Sequence, residues 1–364
     1  MQTIIGTSSA KNAADAVKEA TMTINNPSLI IFLTPYDILK DVNDEIKAKY
    51  GDVPSIGTSA TSYYETTASD ANLIVIAFGS DAKVSAGILR HLSNCPMYDV
   101  MSLEDNIAKV SPGNDDSVCL EFCTGNEEIL VTSMNVALEK NKVPLVGGTV
   151  FGVPAGETAY VCANGVVYED ACCYAIIKNT SGKIRTYSEN IYCLRNDAPK
   201  HIATKVNLAN KELVSLDNRS AAEVYADEFN LSKSQIVDNV LENPLGRIVG
   251  DEVYICSQYD IGEKGSLVNY KKINENDTIS FLQLGDYTSI NEDTRRQIRS
   301  DSSKISFVFS VNCIYRHLLF TQKNHLTDFM KDMRTLGPHV GVVGGGEQYK
   351  NQHVNQTMVC AVFE

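Results

Sequence analysis

Arg316 and Glu347 stand near the end of the chain beside two short polar runs, Gly344-Gly345-Gly346 and Asn355-Gln356-Thr357. A guanidinium clamps a carboxylate through two parallel hydrogen bonds. A carboxylate at position 347 could receive an ammonium group, and the amides and hydroxyl of Asn355, Gln356 and Thr357 supply neutral hydrogen bonds. That combination suits an α-amino acid. The glycine run follows Gly341 and bares backbone amides to close approach by an anionic group. It is neither a Walker loop nor a strict G-x-G-x-x-G, so it carries no nucleotide assignment. The same groups would equally make a structural polar network, with Arg316 paired to an internal acid such as Glu347.

Cys313 precedes His317 by four residues, the spacing of one helical turn, so a thiolate-imidazole pair is conceivable. No orienting third group is evident in the sequence, so no catalytic residue is assigned and a binder is preferred over an enzyme. Most cysteines in strand-like runs, Cys119, Cys172, Cys173, Cys256 and Cys360 among them, read as small core hydrophobes. No C-x-x-C pair is present, and no metal ligands are assigned. His339 and His353 flank the candidate site, but the Cys-x-x-Cys-His haem attachment motif is missing.

The elements that must position these groups announce themselves by repetition. Pro-x-[Ile/Val]-Gly occurs at Pro54–Gly57, Pro144–Gly147 and Pro338–Gly341, each time after an apolar strand-like run and a helical stretch. A polar loop and another apolar strand follow each copy. This predicts a strand-helix-strand unit used three times, with the first two copies sharing one sheet. The hydroxyls and glycines after the first two copies, Gly57, Thr58 and Ser59, then Gly147 and Gly148, are secondary ligand candidates. A helix is expected over Thr7–Thr23, capped by Ser8 or Ser9, and another after Ser220-Ala-Ala-Glu223, which has the form of a capping box. Cys172–Lys178 and Lys183–Cys193 read as a hairpin about Asn179–Gly182.

Composition bounds the rest. The 364 residues suit two domains, 1–194 and 195–364, joined at a polar stretch around Arg195–Lys200. A formal charge of -13 without a dense basic cluster argues against nucleic acid. No apolar run approaches the roughly 18 residues that span a bilayer, so no membrane insertion is expected. The N-terminus lacks a basic segment followed by a long apolar one, and a cytoplasmic location is expected. The fold class is α/β, with mixed sheets flanked by helices.

SFVFSVNCIYRHLL and GVVGGGEQYKNQHVNQTMVCAVF resemble the end of a FIST C-terminal domain, through Cys313-x-x-Arg316, Gly346-Glu347 and the final Asn355-Gln356-Thr357. LIIFL, PSIGTSA, VPLVGGTVFG and ANGVVYEDACC resemble a FIST N-terminal domain. Two departures stand out: Gly57 is followed by Thr58-Ser59 where the family often has Cys-Ser/Thr, and His353 is displaced by one residue. The resemblance implies a sensory module that binds a small ligand such as an amino acid. It would signal to a separate protein: a methyl-accepting protein, a kinase or a cyclic-dinucleotide enzyme. No cofactor is assigned; the alternatives are a haem-based nitric oxide sensor and a thiol-dependent enzyme using Cys313.

Overall fold

The computed structural model describes residues 1–196 and 198–364; Asp197, within the expected interdomain joint, lies outside them. The three motif copies each open the second strand of a parallel pair. Leu29–Thr34 pairs with Ser55–Ser59, Ser117–Cys123 with Leu145–Thr149, and Phe307–Cys313 with His339–Gly344. A helix crosses over in each unit: Leu39–Tyr50, Glu127–Leu138, and the pair Ile314–Gln322 and Leu326–Arg334. A return strand, Leu73–Phe78, Ala171–Asn179 or Thr357–Phe363, then runs antiparallel to the first strand. An edge strand, Thr3–Ser8, Ala82–Arg90 or Ile184–Asn190, completes that side.

Each position of the motif has a physical reason. The proline carbonyls of Pro54, Pro144 and Pro338 accept amides from Ile30, Cys119 and Val308 at 3.0, 2.9 and 2.9 Å, while the missing N–H falls at the strand entrance, where proline is tolerated. The apolar residues Ile56, Val146 and Val340 enter one shared core cluster with Ile31, Leu120 and Phe309. Opposite the glycines stand Phe32, Glu121 and Ser310 on the first strands. A Cβ at Gly57 would lie 2.4 Å from the Phe32 ring, at Gly147 2.0 Å from Glu121, and at Gly341 2.9 Å from Ser310. Glycine is there because the neighbouring side chain lies over it.

The first strands are buried on both faces, as their unbroken apolar runs require. One face enters the shared core; the other packs beneath the unit's own helices, as Ile30 and Phe32 do with Val42 and Ile46. The three units form three separate sheets, so the expectation that the first two share a sheet is corrected. They are linked instead by exchanged hairpins. Ser62–Tyr64 with Thr67–Ser69 leaves unit one and pairs with the second strand of unit three. The hairpin of Val161–Ala163 and Val166–Tyr168 leaves unit two for unit one, and that of Glu347–Tyr349 and Gln352–Val354 leaves unit three for unit two. Each hairpin covers the open edge of a neighbour's second strand, which would otherwise present unpaired backbone groups.

Between the edge strand and the first strand of unit three the chain inserts a fourth sheet of nine antiparallel strands, running from Tyr192–Leu194 to Thr278–Leu284 and packed on the helix Ala221–Phe229. Three local readings need correction. The opening segment is a strand, Thr3–Ser8, followed by a helix, Ala13–Ala20, whose cap is Asn12, accepting from the Asp15 amide at 2.9 Å. Ser220 makes no side-chain cap bond; its hydroxyl donates to the Gly265 carbonyl, and the capping box is formed by Ser232 and Gln235. Ala171–Asn179 and Ile184–Asn190 do not pair, because the first completes the sheet of unit two and the second edges that of unit three.

Candidate functional site

The site is built at the C-terminal end of the parallel pair in unit three, where ligands gather in open α/β sheets. Cys313 ends the first strand and stands as N-cap of Ile314–Gln322, which carries Arg316 one turn later. Arg316 is 1% exposed, and its guanidinium lies 4.5 Å from the Phe320 ring centre and 5.2 Å from that of Phe329. Its Nη2 donates to Glu189 on the edge strand, and Glu189 also accepts from Asn291 Nδ2 at 2.7 Å. The carboxylate partner of Arg316 is therefore Glu189, not Glu347. Nε and Nη1 of Arg316 have no hydrogen-bond partner.

Glu347 opens the hairpin that crosses to unit two, directly opposite Gly148. Its Oε2 accepts from Thr357 Oγ1 at 2.7 Å and from the Thr357 amide at 3.2 Å; Oε1 has no partner. Burial pushes its carboxyl up to about 8, against the opposing pull of the Thr357 hydrogen bonds and the Arg316 charge. The raised value favours the protonated carboxyl at neutral pH. Arg316 Nε and Nη1 and Glu347 Oε1 are thus buried polar atoms without hydrogen-bond partners.

The other expected residues divide. The amide of Gly345 donates to the Thr149 carbonyl at 2.9 Å, and the Gly346 carbonyl accepts from the Thr149 amide at 3.0 Å, so part of the glycine run serves to pass the hairpin across to unit two. A Cβ on Gly344 would lie 3.1 Å from the Gly346 carbonyl oxygen, and one on Gly346 2.4 Å from His353 Nε2. Asn355 Nδ2 lies 3.3 Å from His353 Nε2, leaving Asn355 Oδ1 and His353 Nδ1 unpartnered. Gln356 turns away with φ 56°: it accepts from Ser257 at 2.7 Å and donates to Tyr192 at 2.8 Å and to the Val240 carbonyl at 3.1 Å. It ties the site to the inserted sheet. Of the secondary candidates, Gly147 and Gly148 face the Glu347 hairpin, whereas Thr58 donates to the Tyr160 carbonyl at 3.0 Å in unit one. Ser59 and Gly344 share a small void with Thr149 where the three second strands end.

The FIST N domain matches residues 28–219 and the FIST C domain residues 221–350, most of the chain. The chain belongs to the FIST family. FIST domains are sensory domains. A comparison with curated proteins finds no match.

In this FIST protein the thiol-imidazole pair is not assembled. The Cys313 thiol is pushed well up by burial and by Glu347 beside it, and His317 Nδ1 lies 2.7 Å from the Tyr63 hydroxyl. His339 Nε2 is bonded to Ser310 at 2.8 Å, His353 lies against Gly346 and Asn355, and burial holds both near 4, as neutral rings. Among the described residues no helix is long and apolar enough to cross a membrane.

Two contributors escaped the sequence reading. Lys271, in the loop after the inserted sheet's strand Leu267–Asn269, is buried and donates to the His353 carbonyl at 2.6 Å, and nothing in its local sequence marks it. Glu189 carried a signal: it is in phase with the buried Tyr187 on an alternating strand, so its carboxylate was bound to point inward.

Proposed function

We propose that this FIST protein is a non-enzymatic sensory protein whose site at Cys313, Arg316, Glu347, Asn355 and Thr357 binds a small zwitterion of the α-amino-acid type. The observation that carries the reading is that these residues and the adjoining His353 carry buried, unpartnered atoms: Arg316 Nε and Nη1, Glu347 Oε1, Asn355 Oδ1 and His353 Nδ1. Such atoms cost stability unless something completes them. A ligand carboxylate would accept a single charge-assisted hydrogen bond from a free nitrogen of Arg316, Nε or Nη1, and its ammonium would meet Glu347, which ionises as the cation arrives. Because every one of these groups is buried, the ligand becomes part of the core and its arrival changes the packing around it. The output passes to a separate cytoplasmic partner of the methyl-accepting, kinase or cyclic-dinucleotide class.

The test is a thermal-shift screen of the common amino acids, because selective binding to the folded state raises the midpoint by mass action. One or a few should shift it. A flat response to all of them at millimolar concentration sinks the reading.

A further inference from the structure

The edge strand of unit three, Ile184–Asn190, is paired on one side only, with Thr357–Phe363. Lys183, just before it, accepts from the Glu364 amide at 3.0 Å, and along an antiparallel pair the residues that bond across alternate with residues whose backbone groups point away. Ile184, Thr186 and Ser188 therefore turn their amides and carbonyls outward. Two contacts bear this out: the Ile184 amide donates to the Asp115 carbonyl at 2.8 Å, and the Thr186 carbonyl accepts from the Tyr349 hydroxyl at 3.1 Å. The Thr186 amide and both backbone groups of Ser188, an exposed residue, have no hydrogen-bond partner among the described residues. A cleft of about 800 Å³ is lined by all five consecutive residues Ile184–Ser188. Their side chains alternate between the two faces of the sheet, so what borders the cleft is the edge itself.

An open row of strand donors and acceptors is complemented by another extended backbone. The walls decide whose. The turn of the exchanged hairpin at Lys350 stands on one side, Glu139 and Lys142 of unit two on another, and Gln297 and Asp301 at the end of the helix Tyr287–Asp301 on a third. A second copy of this chain carries the same edge in the same recess, so two such edges cannot meet face to face; a free extended segment can enter. Lys142 and Lys350 balance Glu139 and Asp301, so charge selects no side chain and recognition falls to the backbone. We infer that the outward edge of Ile184–Asn190 is a docking strand for an extended peptide segment of a partner protein, about five residues long at roughly 3.3 Å per residue, which adds to the sheet of unit three. Proline is excluded from the peptide positions whose amides face Ser188, because it has no N–H to give.

The experiment recovers binders of the full chain from a phage-displayed library of random heptapeptides and measures the synthetic peptides by calorimetric titration. They should bind the parent and Ser188→Ala alike, and Ser188→Pro about tenfold or more weakly. That proline removes one outward N–H and no bond to Thr357–Phe363, which is where an edge strand tolerates it. On the peptide side, N-methylation one residue at a time should weaken binding at every second position, the period of a paired strand. This scan uses the parent protein, so it decides the matter if Ser188→Pro fails to fold. The proposal is overturned if no heptapeptide is recovered, if the recovered peptides bind folded Ser188→Pro as tightly as the parent, or if the N-methyl scan shows no alternation. It is equally overturned if the parent dimerises without peptide and Ser188→Pro is a folded monomer, which would give the edge to a second copy.

Discussion

Glu347 and Thr357 are joined by two hydrogen bonds to one carboxyl oxygen, at 2.7 Å from the hydroxyl and 3.2 Å from the amide, across the turn that returns the exchanged hairpin to its own sheet. The pair fixes where the hairpin ends and holds a carboxyl in the core with its other oxygen free.

The pH dependence of stability follows from that burial. Glu347 and Glu121 are both raised to about 8, so between about 4.5 and 8 the folded state holds protons that the unfolded state has released. Their contribution is fully present below the unfolded value and is lost as pH rises through 8. Glu347→Gln should flatten this part of a denaturant-derived stability profile, with ~3–5 kcal/mol as the upper bound of the removed difference. An unchanged slope would mean that Glu347 is ionised in the folded protein.

On the acid side the histidines take over. His339 and His353 are lowered to about 4 by burial, so their contribution is present above about 6.5 and is lost as pH falls through 4. His353→Gln should melt less steeply between pH 6.5 and 4 than the parent does, and NMR titration of the His353 ring in the parent should show no protonation at pH 6.

Breaking the Arg316–Glu189 pair from either side should be severe. Glu189→Gln or Arg316→Met leaves one buried partner uncompensated, at a cost of about 3–5 kcal/mol. The double variant should lose less than the sum of the two singles, and strict additivity in a double-mutant cycle would show that the pair is not coupled.

Alanine at the motif glycines tests the architectural account of the repeat. Gly57→Ala and Gly147→Ala meet the Phe32 ring and Glu121 at 2.4 and 2.0 Å, whereas Gly341→Ala meets Ser310 and Tyr63 at 2.9 Å. The first two should destabilise by about 1–3 kcal/mol or more, and the third by less. Equal, small losses at all three would remove the explanation.

Thiol labelling separates a binder from a thiol enzyme. Cys95 and Cys193 are exposed and the other eight cysteines, Cys313 included, are buried. A mild electrophile should modify Cys95 and Cys193 in the native protein and reach Cys313 only after unfolding. Rapid native modification of Cys313, read by mass spectrometry, would reopen the catalytic reading.

Much of this was legible in the residues themselves. The three Pro-x-[Ile/Val]-Gly strings fix three parallel strand pairs, since proline selects the strand entrance, the branched residue the core face, and glycine the place where a neighbouring side chain overlies the backbone. The apolar runs such as Leu29–Leu33 fix strands buried on both faces. Which strands share a sheet was not legible, because hairpin exchange depends on open edges meeting in space and leaves no periodicity in the chain. Local appearances therefore misled at Asn179–Gly182, where a turn that looks like a hairpin connects two sheets.

The same division runs through the candidate site. The sequence determined that a guanidinium, a carboxyl, three glycines and a run of amides and hydroxyl would belong to one unit, since the guanidinium lies on the last repeat's crossover and the rest follow its motif closely. Only the tertiary structure decided their states. Long-range packing brought Glu189 to Arg316, Lys271 to His353, and Tyr192 with Ser257 to Gln356, each from a segment far away in the chain. Burial then fixed which groups are spent on the fold and which remain free, because desolvation and partner geometry are properties of the folded arrangement that residue type and spacing do not encode.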